Sequence, residues 1–320
     1  MRYPKKFCAA FAIAGFFMSF NSHAQDRPPI NMIVPFSAGG STDILARVIG
    51  KEIADVMSRP VVIDNKPGAE GAIAARQLKA AKPDGNTMML VTTSVYAINP
   101  AVFSSLPYDS AADFSTIGVI ASSPNILLAA ENSKYRTIAD VIDDAKQRPG
   151  EVFYGTGATM HLLNSRLLEE LSGVKMASVP YKGSAAVYPD LIGGRLNMMV
   201  DQPLSSMSLI ETGKLRALAV TSETRWARLP NVPTLSESGY PNFKTTSWWA
   251  VLVPAGTPHD VQQKLAGVIS EVLKRSTVKE QVVQIGADVS ELSWDQSKEY
   301  VAAELKSWKQ IAERAKVKLD

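Results

Sequence analysis

The chain has 320 residues, 46% hydrophobic and 20% charged, with 34 lysines and arginines, 31 aspartates and glutamates, and one cysteine. That length exceeds what a single hydrophobic core usually accommodates, and one cysteine excludes a small scaffold stapled by disulfides. A formal charge of +3 is too small to point to nucleic acid as a partner.

Residues 1–24 read as a secretory signal peptide. Arg2, Lys5 and Lys6 give a basic start, residues 9–20 are apolar, and Ser22-His-Ala24 supplies the small residues of a cleavage site. The apolar run falls short of the roughly 20 residues that span a membrane. Cys8 precedes it rather than marking a lipidation point. Cleavage after Ala24 leaves a chain that starts at Gln25, is formally neutral and lacks cysteine, so a periplasmic location is expected.

A short strand at residues 30–34 runs into Pro35-Phe-Ser-Ala-Gly-Gly-Ser-Thr-Asp43, after which Ile44, Leu45, Val48, Ile49 and Ile53 recur at helical spacing. A strand, a glycine-rich turn and a helix in that order present unpaired N–H groups where the helix dipole is positive, which suits an anion. The same residues also make an ordinary tight turn with a helix cap. Neither G-x-x-x-x-G-K-[ST] nor a G-x-G-x-x-G after a strand occurs, so the turn is not a nucleotide loop.

Further strands are predicted at residues 61–63, 88–91, 126–128, 152–154, 198–200 and 218–220. Helices are predicted at residues 71–81, 137–147 and 162–171, and the tail reads as helical at 261–274, 278–285 and 294–316. This alternation predicts an α/β fold with largely parallel sheets, whose ligands lie beyond the carboxyl ends of the strands. The turns at those ends are small and polar. They are Ser37, Ala38, Gly39, Gly40, Ser41, Thr42 and Asp43; Thr92, Thr93 and Ser94; Gly155, Thr156, Gly157, Ala158 and Thr159; Tyr181, Lys182, Gly183 and Ser184; and Asp201. Any one of them is ordinary turn chemistry. Together they would line one cleft rich in hydroxyl and N–H groups, with Lys182 available for a carboxylate.

Catalytic patterns are sparse. Outside the signal segment the only histidines are His161 and His259. H-E-x-x-H and G-x-S-x-G are absent, and two S-x-x-K matches lack companion motifs. No enzyme activity, metal or cofactor is expected.

Several segments, in order, resemble the substrate-binding proteins of tripartite tricarboxylate transporters, the Bug family of periplasmic receptors. They include Ile33-Val-Pro-Phe-Ser-Ala-Gly-Gly-Ser-Thr-Asp43, Asn65-Lys-Pro-Gly-Ala69, Pro83-Asp-Gly85, Ala97-Ile-Asn-Pro100 and Leu106-Pro-Tyr-Asp109. Val179-Pro-Tyr-Lys-Gly183, Gly213-Lys-Leu-Arg-Ala-Leu-Ala-Val220, Leu229-Pro-Asn-Val-Pro-Thr234 and Val253-Pro-Ala-Gly-Thr-Pro258 complete the set.

The resemblance implies a two-domain, type 2 periplasmic binding protein of Venus-flytrap form, with two crossovers. Residues 26–124 and 246–320 would form one domain and residues 125–245 the other, hinged near Pro124 and Thr245. It further implies capture of a small organic acid for the membrane subunits of a tripartite transporter, by a monomer that closes on its ligand. Residues 37–43 would hold the carboxylate beside Thr93 and Ser94. Thr156, Gly157, Ala158, Thr159, His161, Tyr181, Lys182 and Asp201 would approach from the middle domain, Asp201 either accepting from the ligand or capping the next turn. The second carboxylate loop, Tyr154-Gly-Thr-Gly-Ala-Thr-Met-His-Leu162, is shorter than the family pattern and poorer in hydroxyls. It leaves room for a bulkier or aromatic acid, with Met160 against the ring. Trp248 and Trp249 read first as core. Two other readings stay open: a ligand sensor for a membrane kinase, and a periplasmic hydrolase using His161 or Lys182.

Overall fold

The computed structural model describes residues 28–319; the signal segment and the cleavage point expected from the sequence lie outside the described residues. The chain opens with β1 (Ile30–Val34), α1 (Ser41–Met57), β2 (Val61–Asn65), α2 (Ala72–Lys79), β3 (Thr87–Thr92), α3 (Asn99–Val102) and β4 (Phe114–Pro124). It then crosses into β5 (Ile126–Ala130), α4 (Ile138–Gln147), β6 (Phe153–Thr156), α5 (Thr159–Ser172), β7 (Ala177–Pro180), α6 (Ser184–Ile192), β8 (Met198–Asp201), α7 (Pro203–Glu211) and β9 (Leu215–Val220). A return crossing leads to β10 (Thr246–Pro254), α8 (His259–Val272), α9 (Ser276–Gln284), β11 (Asp288–Val289) and α10 (Trp294–Ala315).

These strands make two sheets. One runs β11-β4-β10-β3-β1-β2 and the other β7-β6-β8-β5-β9. The expectation of largely parallel sheets needs correction: among the described residues four strand pairings are parallel and five antiparallel. In the second sheet β5 pairs antiparallel with both β8 and β9, and in the first the main cause is the return crossing. It inserts β10 antiparallel between β3 and β4, at the centre of the first sheet.

Local sequence explains the elements that carry the site. In α1, Leu45, Ala46, Ile49 and Ile53 repeat at helical spacing and are all buried, while Arg47 points to solvent. Along β10 every residue after Thr246 is buried, as expected of a central strand covered on both faces. The final helix α10 starts at a reciprocal cap between Ser293 and Gln296 and buries Val301, Trp308, Ile311 and Ala312. It lies against both halves of the molecule, touching β4 and α5, and one buried apolar cluster runs through both sheets. Among the described residues no helix is long and apolar enough to cross a membrane.

The two crossings are tied together by buried polar groups. The Asn125 N–H donates to Thr221 Oγ1 at 2.9 Å, and Thr221 Oγ1 donates to the Thr245 carbonyl at 2.6 Å. Thr245 Oγ1 in turn donates to Asn164 Oδ1 on α5 at 2.5 Å.

Candidate ligand-binding site

Adjacent strands β1 and β3 both end at one cavity of about 250 Å³, and a helical start follows each. After β1 the chain turns with Gly39 at φ +88°, in the left-handed region where glycine carries no steric cost. Gly40 then begins α1 without any side-chain cap bond, so the N–H groups of Ser41 and Thr42 have no carbonyl one turn back. After β3 a π-helical turn, Ser94–Ile98, leads into α3. Its preceding residue Thr93 accepts from the Trp248 N–H at 2.7 Å, which fixes the end of β3 to β10.

Asp43 is turned underneath this arrangement. Its carboxylate accepts from the Gly39 N–H at 2.9 Å, from Arg47 through two nitrogens at 3.0 Å each, and from Asn65 Nδ2 at 3.0 Å. Asn65 Nδ2 also reaches the Phe36 carbonyl at 3.0 Å. The Arg47 hydrogen bonds, opposed by desolvation and helped by Gly39 and Asn65, hold the Asp43 carboxyl down at about 2. The side chain the sequence placed among the ligand contacts therefore shapes the turn, because its oxygens are already taken.

The cavity is walled by Phe36, Gly40, Ser41 and Thr42 from the first turn and by Thr92, Thr93 and Ser94 from the second. Ser247, Trp248 and Trp249 of β10 and Met160 and Gln202 from the second half complete it. Both indole N–H groups are already hydrogen-bonded within the protein. Trp249 Nε1 donates to Thr42 Oγ1 at 3.0 Å, and Trp248 Nε1 to Glu304 Oε2 at 2.9 Å. The Trp248 ring is wedged edge-on between Tyr96 and Tyr300, at centroid distances of 5.8 and 6.1 Å. Ser247 Oγ accepts from Gln202 Nε2 at 2.9 Å and lies 3.2 Å from Met160 Sδ.

The remaining residues expected from the second half are bonded to one another. Gly157 N–H donates to His161 Nδ1 at 3.2 Å, and His161 Nε2 lies 3.2 Å from Asp201 Oδ1, which sets the tautomer with the proton on Nε2. Asp201 also accepts from Ser184 Oγ at 3.0 Å, from the Gln202 N–H at 2.7 Å and from the Tyr188 hydroxyl. A hydrolytic triad needs histidine between serine and carboxylate. Here the carboxylate sits between them, and the other ring nitrogen is taken by a backbone N–H. A Cβ on Gly157 would fall 2.4 Å from the Gly183 carbonyl carbon, so this loop is packed into its neighbour.

Thus Gly40, Ser41, Thr42, Thr93 and Ser94 meet at the cavity, while Ser37, Ala38 and Gly39 lie exposed on the same turn. Thr156 bonds the Val179 carbonyl at 3.4 Å, Ala158 is exposed, and Thr159 opens α5. Tyr181 and Lys182 lie outside the cavity wall: the Tyr181 hydroxyl donates to Asp190 at 2.7 Å, and Lys182 is exposed. His161 and Asp201 are outside the wall. Their neighbours Met160 and Gln202 reach the cavity instead. Sequence reasoning missed Phe36, Gln202 and Ser247; nearness to a flagged polar residue was the one signal that could have found them.

The family described as tripartite tricarboxylate transporter family receptor, TctC, matches residues 45–317. Protein BugT of Bordetella pertussis (strain Tohama I) is 32% identical over 312 residues, covering 96% of this chain and 95% of its own. Among solved structures, R. palustris Rpa4515 with adipate has a TM-score of 0.79 at 35% identity, covering 91% of this chain and 98% of that one. MatC (Rpa3494) from Rhodopseudomonas palustris with bound malate has a TM-score of 0.75 at 26% identity, covering 88% and 98%.

Proposed function

The chain belongs to the TctC family of tripartite tricarboxylate transporter receptors, and from that premise we propose that it captures a small organic carboxylate in the periplasm for such a transporter. Two relatives in structure hold adipate and malate, both carboxylates. The observation that carries the reading is the joint aim of two helical starts, at Ser41 and Ser94, into one cavity at the ends of neighbouring strands. A carboxylate there accepts N–H and hydroxyl bonds and sits in the positive field of α1.

Residues 26–124 with 246–320 act as one lobe and residues 125–245 as the other. Ligand bound between them favours the closed form by its greater affinity for it, and the membrane subunits recognise that form. No reaction is required of the site.

Thermal unfolding against a panel of acids and their amides tests this. An acid at ~100 times its Kd adds about 2.7 kcal/mol, worth several degrees at this size. A rise with an acid and none with its amide is the expected result. Equal shifts for acid and amide would remove the carboxylate from the reading.

A further inference from the structure

No residue in the cavity wall carries a formal charge, so an acid there is held by dipoles. The first half supplies the start of α1 and the hydroxyls around it. Among the described residues the second half supplies Met160 and Gln202 to the wall, and of these only Gln202 is polar.

Gln202 stands on a fixed base. Its N–H is bonded to Asp201 Oδ1, and that carboxylate is itself held by Ser184 and Tyr188. Pro203 follows at the first position of α7 and has no N–H to offer a ligand. What the second half can show an acid at this point is therefore the side-chain amide. One end of it is bound, since Gln202 Nε2 lies 2.9 Å from Ser247 Oγ. An amide has a donor end and an acceptor end, so the direction of that bond decides which end is left for the cavity.

The direction is set further back. Ser247 Oγ also lies 3.1 Å from Asn125 Oδ1. Asn125 is fully buried at the first crossing, between β4 and β5, and is not part of the cavity wall. With the bonds running from Gln202 Nε2 to Ser247 Oγ and on to Asn125 Oδ1, Gln202 leaves its amide oxygen for the cavity, and Asn125 Nδ2 is buried without a partner. A buried unpaired donor is costly, and rarer in proteins than an unpaired carbonyl oxygen. Turning both amides over keeps both bonds and reverses them. Asn125 Nδ2 then donates to Ser247 Oγ, which donates to Gln202 Oε1. The buried donor gains its partner, and Gln202 Nε2 becomes the end left for the cavity. An ionised carboxylate only accepts, so a bound acid favours the same reversal.

We propose that Gln202 is the group with which the second half grips the acid, donating from Nε2, and that Ser247 and Asn125 are positioning residues whose hydrogen bonds reverse when the acid binds. The inference rests on the reading of this cavity as the carboxylate site. It ties an occupied cavity to Asn125, whose N–H is bonded to Thr221 between the crossings.

Isothermal titration with adipate, malate, succinate and benzoate identifies an acid that the protein binds, and the variants are then compared on that acid. Gln202→Met, similar in length and without a donor, should lose at least tenfold in affinity. Gln202→Glu puts a carboxylate in place of the donor and should lose at least as much, recovering as pH falls from 8 toward 5 and the new side chain gains a proton to donate. Either variant serves if the other does not fold. Side-chain amide signals in nuclear magnetic resonance read the reversal itself. The acid should move the signals of both Gln202 and Asn125, and Ser247→Ala should abolish the Asn125 shift while keeping that of Gln202. Folded Gln202 variants that bind the acid within twofold of wild type would overturn the inference and leave the carboxylate reading standing. An Asn125 signal that the acid does not move, or moves equally in Ser247→Ala, would do the same. Binding of none of the four acids to folded wild-type protein would overturn both.

Discussion

Asp43 shows how one side chain converts a turn into a site. It ties Gly39, Arg47 and Asn65 together, and so keeps the open N–H groups of α1 aimed at the cavity. Asp43→Asn should cost about 1–2 kcal/mol in urea unfolding at pH 7, the value of its lowered carboxyl after screening at the exposed Arg47. Because that carboxyl is held at about 2, well below the ordinary 3.8, its contribution is whole above pH 4 and is lost as pH falls toward 2. The variant should lack that part of the acid sensitivity. The sequence made the anion-holding turn legible, since glycine, capping residues and an amphipathic repeat are local signals. It did not reveal that Asp43 faces inward, because Asn65 arrives from the neighbouring strand β2. Gln202 was hidden by the same limit: which of two adjacent residues, Asp201 or Gln202, faces a cleft is decided by the packing at the end of β8.

At the scale of elements, α10 reaches the site without lining it. Glu304 Oε2 accepts from Trp248 Nε1 at 2.9 Å and from Trp308 Nε1 at 3.1 Å, next to Tyr300, and burial pushes its carboxyl above the ordinary range. A raised carboxyl stabilises most when protonated. Its contribution is therefore present below pH 4.5 and declines as pH rises through the raised value. Glu304→Gln keeps an acceptor for both indoles and removes the buried charge, so its melting temperature should match or exceed wild type at pH 8 and vary less between pH 8 and pH 5. Glu304→Ala leaves two buried N–H groups unpaired, should cost roughly 2–3 kcal/mol, and should weaken acid binding because Trp248 walls the cavity. Sequence periodicity found α10 almost to the residue, as a long amphipathic helix allows. It missed β4 and β10, although Val119-Ile-Ala121 and Ala250-Val-Leu-Val253 are aliphatic runs in them, and their order in the sheet is set by the return crossing, which no local signal records.

For the molecule as a whole, the two halves meet again beside the cavity. A Cβ on Gly286 would lie 2.8 Å from Pro203 Cβ and 2.9 Å from the Leu204 nitrogen, and Trp226 Nε1 donates to Asp288 Oδ2 at 2.8 Å. Gly286 also holds φ +76°. Gly286→Ala should therefore strain its turn by about 1 kcal/mol and wedge the halves apart. The bound acid should then dissociate several-fold faster, and small-angle scattering should show less compaction on binding than in wild type. Equal compaction would mean that this contact does not limit closure. The uncharged cavity wall carries a consequence for the surroundings in which such a receptor works. Salt weakens attraction between exposed ions, and steering by a charged surface fades as counterions accumulate. Dipoles fixed inside a wall are beyond the reach of mobile ions, so the affinity for an acid should change less than about twofold between dilute buffer and half-molar sodium chloride. A cell exposed to rain and to brine in turn would go on scavenging its acid with the same receptor at the same occupancy.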